Sequence, residues 1–399
     1  MSITKSELAA LLGLPLTQRQ KLGYAYTAEE IASQPELWKI TARALVGDEA
    51  AIAVFLKNNP RLIFAGAGSS HYVGVSVAPA LRSVFGCAEA IPSTEIVMDP
   101  ESAFPREDFV LVSFARSGDS PESNAVVELA EKLRPGAVRH LAITCNPEGQ
   151  LARRIGSLGP RGKVIVLPEG TNDKSLAMTA SFSSMLLAGL YLGYAARGEG
   201  EAFVELADTL VSMGSSILER FSGVAKALAA EGFRRAFFIA SRPFLGGALE
   251  AHLKVQELSG GAILAKAEDT LGLRHGFMAA IDADTLVVLY LSDDPYRRLY
   301  ELDLARELRS KRLGKKLVLV TPEASGCEGL ADLLLETGAS PLVSDEARAI
   351  LAVLPGQLLG LYASLALGLK PDAPSPSGVI HRVVEGVKIY PYRDYGSGE

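Results

Sequence analysis

From Asn59 onward the sequence alternates short apolar runs with longer helical stretches, and the alternation restarts about 175 residues later. Strands of such a chain are covered on both faces, which calls for a parallel sheet flanked by helices. In the first half, 62–65, 109–113, 140–144 and 164–167 read as strands, with helices predicted over 72–85 and 121–133. In the second half, 236–240, 285–291 and 317–320 read as strands, a glycine turn at Gly246-Gly247 precedes a helix over 248–258, and another helix covers 296–308. The spacing is too long for a solenoid and predicts a duplicated unit: two stacked three-layer parallel-sheet α/β domains of flavodoxin-like type. The expected divisions are a helical segment at 1–58, domains at 59–200 and 201–370, and a proline-punctuated strap at 371–399.

Two uncharged stretches, 176–196 and 349–369, approach the roughly 20 residues of a membrane span. Thr179, Ser181, Ser183 and Ser184 in the first, and Pro355-Gly356-Gln357 in the second, argue instead for helices buried all round, either within the protein or at a subunit contact. No membrane partner is expected. Forty Lys and Arg against 46 Asp and Glu give a net charge of −6 without a basic run, so nucleic acid is not an expected partner either. Cys87, Cys145 and Cys327 are too scattered for a disulfide framework, which fits a reducing, cytoplasmic setting. The start, Met1-Ser-Ile-Thr-Lys, lacks the pattern of a secretory leader. None of the five histidines shows metal-ligand spacing, so no metal is expected.

Ligands of open parallel sheets bind where loops leave the carboxyl ends of the strands. Two such loops suit an anion. Gly66, Gly68 and Gly118 permit close backbone approach, and Ser69, Ser70, Ser117 and Ser120 place hydroxyls at helix N-termini, where unpaired N–H groups favour phosphate. The plain alternative is that Ser120 only caps its helix and the glycines only make turns. Two loops of this kind on neighbouring strands favour the ligand reading. Neither is a Walker A motif or a dinucleotide fingerprint.

These residues carry a family resemblance. Leu62 to Ser70, Ser113 to Glu122 (Ser-Phe-Ala-Arg-Ser-Gly-Asp-Ser-Pro-Glu) and Leu271 to Gly276 (Leu-Gly-Leu-Arg-His-Gly) resemble the sugar isomerase (SIS) domain found twice in phosphosugar isomerases. The opening Glu30-Ile-Ala-Ser-Gln-Pro-Glu-Leu-Trp38 and the ending Arg382-Val-Val-Glu-Gly-Val-Lys-Ile-Tyr-Pro-Tyr392 are similar to the tagatose-6-phosphate ketose/aldose isomerase group, whose members act as galactosamine-6-phosphate deaminases/isomerases. The resemblance, spanning about residues 25–392, implies tandem SIS domains and a sugar phosphate held by Gly68, Ser69, Ser70, Ser117, Gly118 and Ser120. It implies Glu257 as the base that moves a proton between C1 and C2, and His275 as the group that opens the sugar ring. His71, Arg116, His381, Glu385 and Lys388 are further candidate substrate contacts. Where related synthases carry a C-terminal lysine, the match falls on Glu385 or Lys388. Ala115 and Phe277 depart from the usual serine and proline.

Read from spacing alone, Glu250, Lys254 and Glu257 form one helical stripe, so Glu257 reads equally as a solvated partner of Lys254. A lone His275 in a loop is more often structural than catalytic. His71 reads as a ligand contact or a cap, His252 as a surface helix residue, and His140 as a strand-edge one. The implied chemistry, ring opening and proton transfer between adjacent carbons, needs no cofactor. No nucleophile-bearing domain precedes residue 59, so deamination or isomerisation is expected rather than glutamine-dependent synthesis. The expected enzyme converts galactosamine 6-phosphate to tagatose 6-phosphate and ammonia. Glucosamine 6-phosphate as substrate, or a non-catalytic sugar-phosphate sensor, are the alternatives; a sensor would have no need of Glu257 with His275. A homodimer or larger assembly is expected, with His275 supplied by a neighbour and one phosphate site per chain.

Overall fold

The computed structural model describes residues 6–58, 61–380, 382 and 386–392. Among the described residues, ten strands form two five-stranded sheets, parallel throughout. The first contains β1 (Arg61–Gly66), β2 (Cys87–Pro92), β3 (Phe109–Ala115), β4 (Val138–Thr144) and β5 (Gly162–Val166), in the order β2-β1-β3-β4-β5. The second contains β6 (Arg235–Ile239), β7 (Leu264–Glu268), β8 (Thr285–Tyr290), β9 (Lys316–Thr321) and β10 (Leu333–Glu336). Its order, β10-β9-β8-β6-β7, repeats that of the first. The flavodoxin-like duplication expected from the sequence is therefore present.

Side-chain alternation builds the layers. Leu62, Phe64, Val110 and Val112 face one way in the first sheet, and Phe238, Val288, Val318 and Val320 in the second, into a single apolar core between the sheets. Ile63, Leu111 and Phe109 face a separate outer cluster, as do Ile239, Leu289 and Leu319 of the second sheet. The shared core contains the two uncharged helices. Ala180–Arg197 is buried continuously from Ala180 to Gly193, and Asp345–Ala366 from Ala347 to Ser364. The second is long and apolar enough to cross a membrane, yet 89% of its most apolar window lies inside the protein. Both helices find their apolar surroundings within one chain, against Thr27–Gly47, Ser69–Phe85, Gly200–Glu231 and Leu245–Leu258. They therefore supply no argument for a subunit contact.

Three strands escape the sequence pattern: β2, β7 and β10. All are edges, where one side of the strand lacks a partner and the residues alternate less strictly. His140, read as a strand-edge residue, lies on the interior strand β4 with no exposure. Its Nε2 pairs with Glu131 Oε1 at 3.0 Å, and Glu131 also receives Arg161 at 2.6 and 2.7 Å. Gly246 and Gly247 do not form a turn; they lie inside the Leu245–Leu258 helix. A Cβ on Gly246 would stand 2.1 Å from Ser76 Oγ and 2.7 Å from Tyr72 O. Glycine there lets this helix sink against Ser69–Phe85, and that contact carries a second-half helix to the loops of the first half.

Candidate active site

The loops leaving β1 and β3 lie side by side because those strands pair, Ala65 opposite Ser113. Gly68 has φ 54°, a left-handed conformation that starts the Ser69–Phe85 helix at once after the strand. Ser120 caps the Pro121–Leu133 helix, accepting from Ser123 N at 3.3 Å and pairing with Ser123 Oγ at 2.6 Å. Capping is real, and so is the cavity beside it. Gly68, Ser69, Ser70, Ser117, Gly118 and Ser120 all line one cavity of about 300 Å³, whose far wall is Lys254 and Glu257. Arg116 and Arg382 also line it. Its boundaries thus come from three loops of the first half, at 67–70, 114–123 and 176–178, one helix of the second, and the strap.

Lys254 and Glu257 of the helical stripe face this cavity, and Glu250 is buried against Lys254. Side-chain exposures of 0% for Glu250, 1% for Lys254 and 30% for Glu257 rule out the solvated surface pair. Lys254 Nζ reaches Glu257 Oε2 at 2.7 Å, Glu250 Oε1 at 3.2 Å and Ser69 Oγ at 3.2 Å. Ser69 Oγ in turn donates to Glu250 Oε1 at 3.1 Å. Burial pushes the Glu250 carboxyl up to about 7, opposed by Lys254 and helped by Glu257. Burial alone would lower Lys254, but the two carboxylates outweigh it and raise its pKa, so the ammonium persists. Chemically, this is an anion cradle with a fixed cation and one carboxylate, Glu257, partly open to a ligand.

The Glu250 shift has a consequence for stability. In the unfolded chain Glu250 ionises from about 4.3 upward, whereas the folded site keeps its proton to about 7. Its contribution is therefore fully present below the unfolded value and lost as pH rises through the folded one. Chemical denaturation between pH 4.5 and 8 should show stability falling more steeply in the native protein than in Glu250→Gln. Equal slopes would place Glu250 in ordinary carboxylate titration.

His275 is not at this cavity. It is exposed, just after a turn whose Arg274 binds Asp303 at 2.8 Å and Glu307 at 2.6 Å. The neighbouring Leu273 packs in the outer cluster of the second sheet, whereas the helix carrying Glu257 packs on the inner face. His71 is half-buried, its pKa lowered by burial, and its Nδ1 is buried without a partner. His252, read as a surface residue, is half-buried with its ring 6.1 Å from that of Tyr72. Lys388 is exposed over the Tyr390 ring at 4.7 Å. His381 and Glu385 lie outside the described residues. Two charged wall residues escaped the sequence reading as site candidates, Lys254 and Arg382. Lys254 had a signal, the i, i+3 and i+4 carboxylates on its own helix; Arg382 had only its place in the strap.

A serine-lined pocket at the switch point of a 2-1-3-4-5 sheet, with a lysine–carboxylate pair delivered from a duplicate sheet, defines a tandem α/β protein with an anion site and a proton-transfer group beside it. The SIS domain family model matches residues 55–193. A Streptomyces coelicolor protein named AgaS is 40% identical over 92% of this chain and 96% of its own length. The D-galactosamine-6-phosphate deaminase AgaS of Escherichia coli is 32% identical, with coverage of 92% and 96%. The solved structure of tagatose-6-phosphate ketose/aldose isomerase from Escherichia coli superposes with a TM-score of 0.83 at 29% identity, covering 98% of this chain and 99% of that one. The chain belongs to the SIS-domain family, in the group of these AgaS proteins.

Proposed function

We propose that the chain deaminates and isomerises galactosamine 6-phosphate to tagatose 6-phosphate and ammonia. The observation that carries the reading is the junction of the serine loops with the Lys254–Glu257 pair, 2.7 Å apart, across one cavity. It is supported by what the AgaS relatives are named for. The hydroxyls and backbone N–H groups of the two loops hold the phosphate, and Arg116 and Arg382 add charge to that wall. In the open-chain sugar Glu257 takes the proton from C2, leaving an enaminol, and returns it to C1. The product is an imine at C2; water adds there, the C–N bond breaks, and ammonia leaves as the ketone forms. Lys254, kept charged between two carboxylates, stabilises the negative oxygen that develops during proton transfer.

Ring opening is assigned to His275 of a second copy of the chain. Within one chain this histidine sits on the outer side of the second sheet, beside exposed Leu271 and Phe277. A dimer that buries this apolar loop against a neighbour's cavity completes the site. Incubation with galactosamine 6-phosphate, glucosamine 6-phosphate and tagatose 6-phosphate tests the function. Ammonia and ketose should appear in equal amounts from the galacto amino sugar. Binding of all three without turnover would instead mark a sugar-phosphate sensor.

A further inference from the structure

Glu30 opens the motif that ends at Trp38, is only 8% exposed, and lies outside the cavity. Its carboxylate accepts from Lys174 N at 2.5 Å, from Ser175 N at 3.2 Å, and from the Ser175 hydroxyl. The same loop holds the two arginines of the cavity wall by its opposite side. Arg116 Nη1 donates to Leu176 O at 3.2 Å and to Ser175 O at 3.4 Å. Arg382 Nε donates to Asp173 O, and its Nη2 to Asn172 Oδ1, both at 2.7 Å. Arg116 Nη2 closes the circuit on Arg382 O at 2.7 Å.

Two neighbouring guanidiniums repel each other, and burial compounds the cost: burial first, then Arg382, lowers the Arg116 pKa. Asp173 is close in sequence but already engaged. Its buried carboxylate accepts from the backbone N–H groups of Thr179, Ala180 and Ser181 and from the hydroxyls of Thr179 and Ser181. Asp173 thus ties its end of the loop to the start of the Ala180–Arg197 helix, and Glu30 holds the next two residues, Lys174 and Ser175, from the Thr27–Gly47 helix. The Thr27–Gly47 helix also holds the strap, since Asp372 Oδ1 accepts from Thr27 N and Thr27 Oγ1, both at 2.8 Å.

We propose that Glu30 is a positioning residue: by clamping the 173–175 loop it sets Arg116 and Arg382 for the phosphate of the substrate. The inference rests on the reading of the cavity as a sugar-phosphate site. An unclamped loop would let the like charges separate, and the anion would have to draw them together on binding. The cost falls on affinity, not on proton transfer at Glu257.

The test uses the full chain, with inorganic phosphate affinity by calorimetry and KM and kcat for galactosamine 6-phosphate. Glu30→Ala should weaken phosphate binding and raise KM about tenfold, with kcat within about threefold. Glu30→Gln, whose amide oxygen still accepts from the loop, should stay within about threefold of the native KM. In an Arg382→Ala background, Glu30→Ala should add a smaller loss, about threefold, because only Arg116 is left for the loop to set. A Glu30→Ala that fails to fold is replaced by Ser175→Ala, which removes one of the three bonds to Glu30 and should raise the phosphate Kd and the KM about threefold. Unchanged phosphate affinity and KM, or equal losses in both backgrounds, would overturn the proposal. Phosphate binding without turnover of the sugar would defeat the catalytic reading alone, and the phosphate series would still decide the role of Glu30.

Discussion

Glu257→Gln should lower kcat by about 100-fold or more while leaving KM close to native. An amide of the same shape preserves the helix and a contact to Lys254, but it has no basic oxygen with which to take the C2 proton. The groups proposed to hold the phosphate lie on other elements, in the 68–70 and 117–120 loops, so binding is not directly touched. Steady-state kinetics on the galacto amino sugar checks the split. Near-native turnover would return Glu257 to an electrostatic role beside Lys254. The same variant examines the trans assignment: mixed and exchanged with inactive His275→Ala, it should regain activity, because some sites then combine Glu257 of one chain with His275 of the other. No recovery after confirmed subunit exchange would place both groups in a single chain.

Replacing Ser117 and Ser120 together by alanine should raise KM by about 150-fold or more, as two hydrogen bonds to a charged phosphate contribute about 1.5–3 kcal/mol each. Part of the penalty at Ser120 appears in stability, because its hydroxyl accepts from Ser123 N as the helix cap, a contact that contributes about 1 kcal/mol. Ser117→Ala alone isolates the ligand effect, and an unchanged KM there would remove the phosphate from this loop. Native protein should bind one equivalent of sugar phosphate per chain. The corresponding helix of the second half, Pro295–Ser310, is capped by Asp294, and Asp345 accepts from Asp293 N at 2.9 Å. Carboxylates stand there where the first half presents serine, and they repel an anion. Two equivalents by calorimetry would contradict this.

Much of the molecule was legible before folding. Interior strands such as 109–113 and 285–291 announce themselves as continuous apolar runs because both their faces are covered. The glycine- and serine-rich loops that line the cavity were equally plain, since such residues at a strand-to-helix junction have a local reason to be there. What depended on distant contacts was less visible. Lys254 and Glu257 looked like a surface pair because i, i+3 spacing is the same on a wet face and a buried one. His140 looked peripheral because strand order, not strand sequence, makes β4 interior.

The amino-acid sequence by itself determined the duplicated α/β pattern, the anion loops and the choice of Glu257 and His275, through local periodicity, turn chemistry and family likeness. Tertiary structure decided which of these meet. Gly246 lets the Leu245–Leu258 helix approach Ser69–Phe85 closely enough that Lys254 and Ser69 stand 3.2 Å apart, although 185 residues separate them. The second sheet places His275 on its other side, and Arg382 comes from the strap to Arg116 across 266 positions. Such encounters arise from helix packing and long-range hydrogen bonds, whose energy depends on both partners at once. No window of sequence contains both partners, so only the folded chain brings the candidate site together.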